Sequence, residues 1–360
     1  MHASATIRDA PTLRNAQTLR EADALLDAAL IAPDRRDAIA RVAARYAIAI
    51  PPALQSLIEH ADDPIARQFV PHEDELVTAP HETADPIADE ALSPVRGIVH
   101  RYKDRALLKP LLVCPVYCRF CFRREQVGPD GGLLSSTELE AAYAYLRAHT
   151  ELREIILTGG DPLMLSPRRL GAILQVLDAI PHIETLRVHT RLPIATPETV
   201  TPDLLGALRT EKPLWLAIHA NSAREFTPAS RAALAQLARV APLLGQSVLL
   251  AGVNDSPEAM EALLRAMLAA RIKPYYLHQL DAAPGTARFH VPIERCRAIL
   301  AALRGRIGGL AIPTYVLDIP GGHGKVPIAQ DHWRGNDGHG AQVLDRDFNP
   351  HAVTASPRSA

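Results

Sequence analysis

From Arg96 onward the chain repeats one unit, a short apolar run, a polar cluster and then a capped helical stretch, at intervals of about 30 residues. That rhythm is the strongest constraint on the fold, because strands alternating with helices demand a parallel sheet with helical crossovers. The predicted strands cover 106–112, 155–158, 185–189, 214–219, 246–250 and 274–278. Helix starts between them are marked by a capping box, Ser135 with Glu138, and by a cap before proline at Ser166-Pro167, Thr227-Pro228 and Ser256-Pro257. Six βα units follow, and right-handed crossovers allow either an open doubly wound sheet or a partly closed barrel. Both place chemistry at the C-terminal strand ends. Polar residues gather there in series: Thr158-Gly159-Gly160-Asp161, His189-Thr190-Arg191, His219-Ala220-Asn221, Gly252-Val253-Asn254-Asp255 and His278-Gln279-Leu280-Asp281.

The flanks read differently. Residues 18–66 carry Leu19, Ala22, Leu25, Leu26, Ala29 and Leu30 at helical spacing, which predicts a helical N-terminal region. Residues 71–94 are acidic and dotted with proline, the composition of an irregular connector. A last apolar run at 313–317 leads into a glycine-rich turn, and the tail from Asp331 is polar and expected to fray. The expected organisation is a helical region and connector over 1–95, a βα core over 96–320, and a lysine loop with an irregular tail over 321–360. With 39 basic against 40 acidic residues the chain has no net field to hold a nucleic acid or a membrane, so small molecules are the expected partners. Residues 1–13 lack the apolar core of a secretory signal, and no run reaches about 18 apolar residues. The expectation is a cytoplasmic protein.

Three of the four cysteines, Cys114, Cys118 and Cys121, lie together just after the first predicted strand, a spacing unsuited to a disulfide framework. A loop can fold three thiolates round one face of a four-iron, four-sulfur cluster, leaving one iron open. A structural zinc would want a fourth ligand, and no Cys or His stands at the usual short spacing. Cys296, in the helical stretch 292–303, reads as a packed side chain. The C-x3-C-x2-C spacing with Phe120 before the last cysteine resembles the radical S-adenosylmethionine superfamily. The resemblance implies a partial (β/α)6 barrel of that type, a [4Fe-4S] cluster, S-adenosyl-L-methionine as cosubstrate, and a reducing electron donor such as flavodoxin or ferredoxin. It also makes Gly159-Gly160-Asp161-Pro162 the motif that meets the amino group of the methionine moiety, where glycine permits close backbone approach.

Lys325 follows Gly321-Gly322-His323-Gly324. The Walker pattern fails, since Ile319 stands at the first glycine position and Val326 follows the lysine. A lysine on a flexible glycine loop can instead form a Schiff base with pyridoxal 5′-phosphate. Over residues 86–327 the chain resembles lysine 2,3-aminomutase and its relatives within the radical superfamily. The residues that carry this are Val99-His100-Arg101-Tyr102-Lys103-Asp104-Arg105, 114–124, Thr158-Gly159-Gly160-Asp161-Pro162-Leu163, 246–255, Lys273-Pro274-Tyr275-Tyr276-Leu277 and 318–327.

By that resemblance Lys325 carries pyridoxal phosphate and Arg101, Tyr102 and Arg105 face this cofactor, while His219, Asn221, Gln246 and Arg191 point to the adenosyl side by their position on successive strand ends. Arg123 matches the clamp on the substrate carboxylate, and Asp281 and Asp318 match the pair that holds the side-chain ammonium of lysine. The physics agrees, because a desolvated ammonium needs paired counter-charges and a bidentate guanidinium suits a carboxylate. The implied activity is that of an isomerase interconverting L-lysine and β-lysine by way of a 5′-deoxyadenosyl radical. Alternatives are an aminomutase whose β-lysine modifies a translation factor, one acting on another amino acid, or a non-catalytic iron–sulfur carrier, which would have no use for Lys325. Some relatives join subunits through a zinc held by C-terminal cysteines, and residues 331–360 contain none, so a homo-oligomer is only an open expectation.

Overall fold

The structure is a computed structural model that describes residues 17–329, 331–336, 341–345 and 349–353. The expectation for residues 1–13 lies outside the described residues, as does part of that for the tail. Nine strands form one sheet in sequence order: β1 (Ile98–Tyr102), β2 (Arg105–Leu111), β3 (Glu154–Gly159), β4 (Thr185–Thr190), β5 (Leu214–His219), β6 (Leu243–Val248), β7 (Ile272–His278), β8 (Thr314–Ile319) and β9 (Gly324–Pro327). Strands β2 to β8 are all parallel, while β1 and β9 are antiparallel edges that do not pair with each other. The result is a partial α/β barrel: the six predicted βα units, a seventh parallel strand from the run at 313–317, and a short hairpin at either edge. Across the gap Gly321 N–H donates to the Pro86 carbonyl at 3.1 Å and Lys325 N–H to the Tyr102 hydroxyl at 2.7 Å.

Helices come in chain order as α1 (Ala22–Asp27), α2 (Arg36–Arg45), α3 (Pro52–Gln55), α4 (Pro64–Phe69), α5 (Ser136–Ala148), α6 (Pro167–Asp178), α7 (Leu192–Ala195), α8 (Pro202–Ala207), α9 (Pro228–Leu237), α10 (Pro257–Ala269) and α11 (Ile293–Leu303). The sequence caps are real caps: Ser135, Ser166, Thr227 and Ser256 each accept a backbone N–H of the first turn. Strand residues such as Leu186, Val188, Leu216 and Ile218 face the helices in one continuous core, so their alternates His189, Ala217 and His219 face the barrel interior.

Two expectations change, at β6 and in the tail. Strand β6 runs Leu243–Val248, not the predicted 246–250; it ends before Leu250 because that residue is apolar for a separate cluster with Phe120, Val253, Leu280 and Phe289 beyond the strand. The N-terminal region has its own core of Leu25, Ile39, Ile50, Leu54, Ile65 and Phe69, and that core includes Val116 of the cysteine segment and Ala195 of α7. The tail expected to fray instead forms a three-stranded antiparallel sheet, β10 (Trp333–Asn336), β11 (Ala341–Leu344) and β12 (Pro350–Val353), whose pairing supplies hydrogen bonds that frayed chain would leave to water. No helix among the described residues is long and apolar enough to cross a membrane.

Candidate active site

The three cysteines follow β2 with free thiols. Their segment is braced from outside the barrel. Arg119, fully buried, donates to the Glu75 carboxylate at 2.6 Å and to the Ala47 carbonyl at 2.8 Å, and Arg124 donates to the same carboxylate. Burial alone would raise Glu75, yet the charges of Arg119 and then Arg124 hold it down to about 2. Burial lifts the three thiols, Cys121 to about 11, and for Cys114 the charge of Asp161 and the neighbouring cysteines add to it. Thiolates crowded in this way need a metal's charge to stay deprotonated.

At the end of β3 the glycines serve the chain itself. Gly159 has φ +108°, and a Cβ on Gly160 would lie 2.3 Å from the Val113 carbonyl oxygen. Gly160 N–H donates to Leu111 and Asp161 N–H to Val113, both at 2.9 Å, which seats the strand end on the start of the cysteine segment. The Asp161 carboxylate accepts from Thr190 Oγ1 at 2.8 Å, Arg191 N–H at 2.7 Å and Leu192 N–H at 2.9 Å, so it ties β3 to β4. Arg191 reaches Glu225, Gln68 and Cys118 Sγ. Asn221 is fully buried between Gln68 and Val248 N–H. Gln246 lies beside His219 in register, and the His219 ring stands edge-on to Phe120 with centroids 5.7 Å apart.

Three histidines at interior strand ends, His189, His219 and His278, each keep a buried Nε2 with no partner among the described residues. Burial, helped by the nearby charges of Arg187, Arg191 and Lys325 respectively, drives each well below the usual histidine range, so all three are neutral. With the equally unpartnered Nε atoms of Arg101 and Arg191, these orphaned polar atoms mark space a ligand would fill.

Lys325 is not on a flexible loop. It belongs to β9, which pairs with β8 so that Lys325 stands directly opposite Asp318. Gly321, Gly322 and Gly324, at φ +80°, +83° and +95°, make the tight turn between these strands. The Lys325 ammonium binds the Asp318 carboxylate and lies 3.4 Å from His278 Nδ1. Arg101 donates to Asp318 and to Asp89, each at 3.2 Å, and Arg123 donates to Asp89 at 2.7 Å. A single line of charge therefore runs Arg123, Asp89, Arg101, Asp318, Lys325. Arg105 stacks on the Tyr102 ring 3.7 Å from its centroid and pairs with Asp104 at 2.8 Å. Asp281, just past β7, is pushed up to about 7 by burial and by the charge of Asp318.

Residues 108–273 match the model of the radical SAM superfamily. The chain is 36% identical over 305 residues to an L-lysine 2,3-aminomutase of Acetoanaerobium sticklandii, covering 84% of this chain and 74% of that one. It belongs to the lysine 2,3-aminomutase family. A Clostridium subterminale enzyme of the same name is 36% identical, with coverage of 83% and 73%, and a glutamate 2,3-aminomutase of Clostridioides difficile is 34% identical, with coverage of 81% and 70%. The chain is thus a radical SAM aminomutase.

Radical SAM aminomutases work with a [4Fe-4S] cluster and S-adenosylmethionine, and the residues here suit both. Cys114, Cys118 and Cys121 are free thiols close enough to feel one another's charge, as three cluster ligands would be, and three strand-end histidines keep unpartnered nitrogens. Sequence reasoning missed the residues that hold this arrangement: Gln68, Glu75, Asp89, Glu225 and His278. Only His278, named at a strand end, carried a readable signal. Glu75 and Asp89 sit in the segment read as a connector, where acidic residues look solvated, yet they are 0% and 1% exposed.

Proposed function

We propose that this aminomutase is a lysine 2,3-aminomutase, an isomerase interconverting L-lysine and β-lysine with pyridoxal phosphate carried on Lys325. The observation that carries the substrate is the carboxylate pair Asp281 and Asp318 beside Lys325, with the ammonium of Lys325 itself already seated on Asp318. An acid pair of which one member already holds a primary ammonium suits another. A substrate ending in carboxylate would meet two like charges there, which argues against glutamate.

In this reading Asp318 and Asp281 bind the distal ammonium, and Arg123, oriented by Asp89, clamps the α-carboxylate. Arg101 and Arg105 would offer cations to the cofactor phosphate, and Tyr102, which fixes the Lys325 backbone, would help hold it. His278, neutral, lies within reach of the Lys325 ammonium through Nδ1 and helps orient it. Buried walls at the strand ends exclude water from radical chemistry. When bound, the cluster and S-adenosylmethionine supply a 5′-deoxyadenosyl radical that abstracts substrate hydrogen, and pyridoxal phosphate supplies a π-system for the migrating nitrogen.

The test is anaerobic incubation of reduced, cluster-loaded protein with S-adenosylmethionine, pyridoxal phosphate and L-lysine. β-Lysine should form and glutamate should be left unchanged. Turnover of another amino acid in preference to lysine would overturn the roles of Asp281 and Asp318. Borohydride reduction and peptide mapping should place the pyridoxyl label on Lys325.

A further inference from the structure

We propose that Arg191 is a positioning residue that sets the reduction potential of the cluster through Cys118, with Glu225 as the opposing charge. The Arg191 guanidinium donates through Nη1 to Cys118 Sγ at 3.4 Å, and through Nη2 to Gln68 Oε1 at 2.8 Å and Glu225 Oε2 at 2.5 Å. Its backbone N–H is held by Asp161 at 2.7 Å, and its plane lies 4.8 Å from the Phe69 ring centroid. Glu225 is equally fixed, since its other oxygen accepts from Asn221 N–H at 2.9 Å and Ser222 N–H at 2.8 Å. Both side chains are buried, at 5% and 0% exposure, so neither charge is screened by water.

The three cysteines are therefore not equivalent. Among the described residues, Cys118 is the one of the three with a charged side-chain donor on its sulfur. Hydrogen bonds to the sulfurs and net local charge set the potential of such clusters. A cation donating to a ligand thiolate stabilises the form that has gained an electron, which raises the potential. Glu225, bonded to the far side of the same guanidinium, cancels part of that effect. Arg191 makes the cluster easier for a donor to reduce, and Glu225 keeps the reduced cluster a strong enough reductant for the sulfonium.

The test is redox titration of anaerobically reconstituted protein followed by electron paramagnetic resonance, a readout independent of which amino acid is turned over. R191M should shift the midpoint to a more negative value and R191K should stay close to the parent. E225Q, which preserves the shape of the side chain and can still accept from Asn221 and Ser222, should shift it to a more positive value. An unchanged midpoint in R191M at full iron content would reduce Arg191 to a prop and overturn the proposal. Should R191M fail to retain iron, E225Q decides: a positive shift supports the proposal, and an unchanged or negative one overturns it.

Discussion

Asp281 and Asp318 are chemically alike and electrostatically unlike. Asp318 is neutralised by Lys325 and Arg101, whereas Asp281 feels burial and the charge of its neighbour and titrates near pH 7. A cationic substrate needs Asp281 ionised. As pH falls through about 7 the free protein protonates it, so kcat/KM for lysine should fall on the acid side with an inflection near that value. D281N should abolish the inflection and lower kcat/KM across the whole range. D318N removes one partner of a buried charge pair, and a loss of about 2–5 kcal/mol, roughly 30-fold to several thousandfold in kcat/KM, is expected in steady-state assays. The residues proposed to hold a metal or cofactor stand out in the sequence because their signals are local: cysteine spacing, and a lysine after glycines. Asp89 does not, because its meaning depends on Arg101 and Arg123, which arrive from two later segments and become its partners only in the folded chain.

At the scale of elements, the stretch read as a connector turns out to grip the cysteine segment. Glu75 faces Arg119 and Arg124 with no solvent between them, and E75A should cost about 3–5 kcal/mol in denaturant unfolding by leaving those cations buried and unpaired. The same pair predicts acid sensitivity. Glu75 is held at about 2 in the folded chain, below its ordinary 4.5, so its contribution is complete above that ordinary value and disappears as pH falls toward 2. Acid unfolding of wild type and E75Q should therefore differ in midpoint. At the end of β3, G160A would force a methyl against backbone atoms of Val113 that cannot move aside, and overpacking of about 1–3 kcal/mol with a lower iron-to-protein ratio should follow. Helix starts were readable because caps are chemistry within four residues. The bounds of β6 were not, since Leu250 is apolar for a cluster that includes Phe120 and Phe289 from distant segments.

For the whole molecule, the strand-and-helix rhythm was enough to predict a parallel array, because each unit carries its own apolar run and its own cap. How the array ends was not readable. The edges are β1 and β9, short antiparallel strands, and the contacts between them are single bonds such as that from Lys325 N–H to the Tyr102 hydroxyl. The N-terminal region enters the same assembly through Gln68, whose side-chain carbonyl accepts from both Arg191 and Asn221. Protein trimmed to residues 96–329 should therefore bind iron poorly on reconstitution, as measured by iron and sulfide content. One consequence concerns anyone wishing to redesign this catalyst. Asp318 and Lys325 are facing positions of one hairpin, so the proposed substrate reader and the proposed cofactor anchor are inherited as a single cassette. Selectivity altered by shifting that hairpin would carry the anchor away with it. Point changes at Asp281, past the end of the neighbouring β7 and outside the hairpin, offer the independent dial.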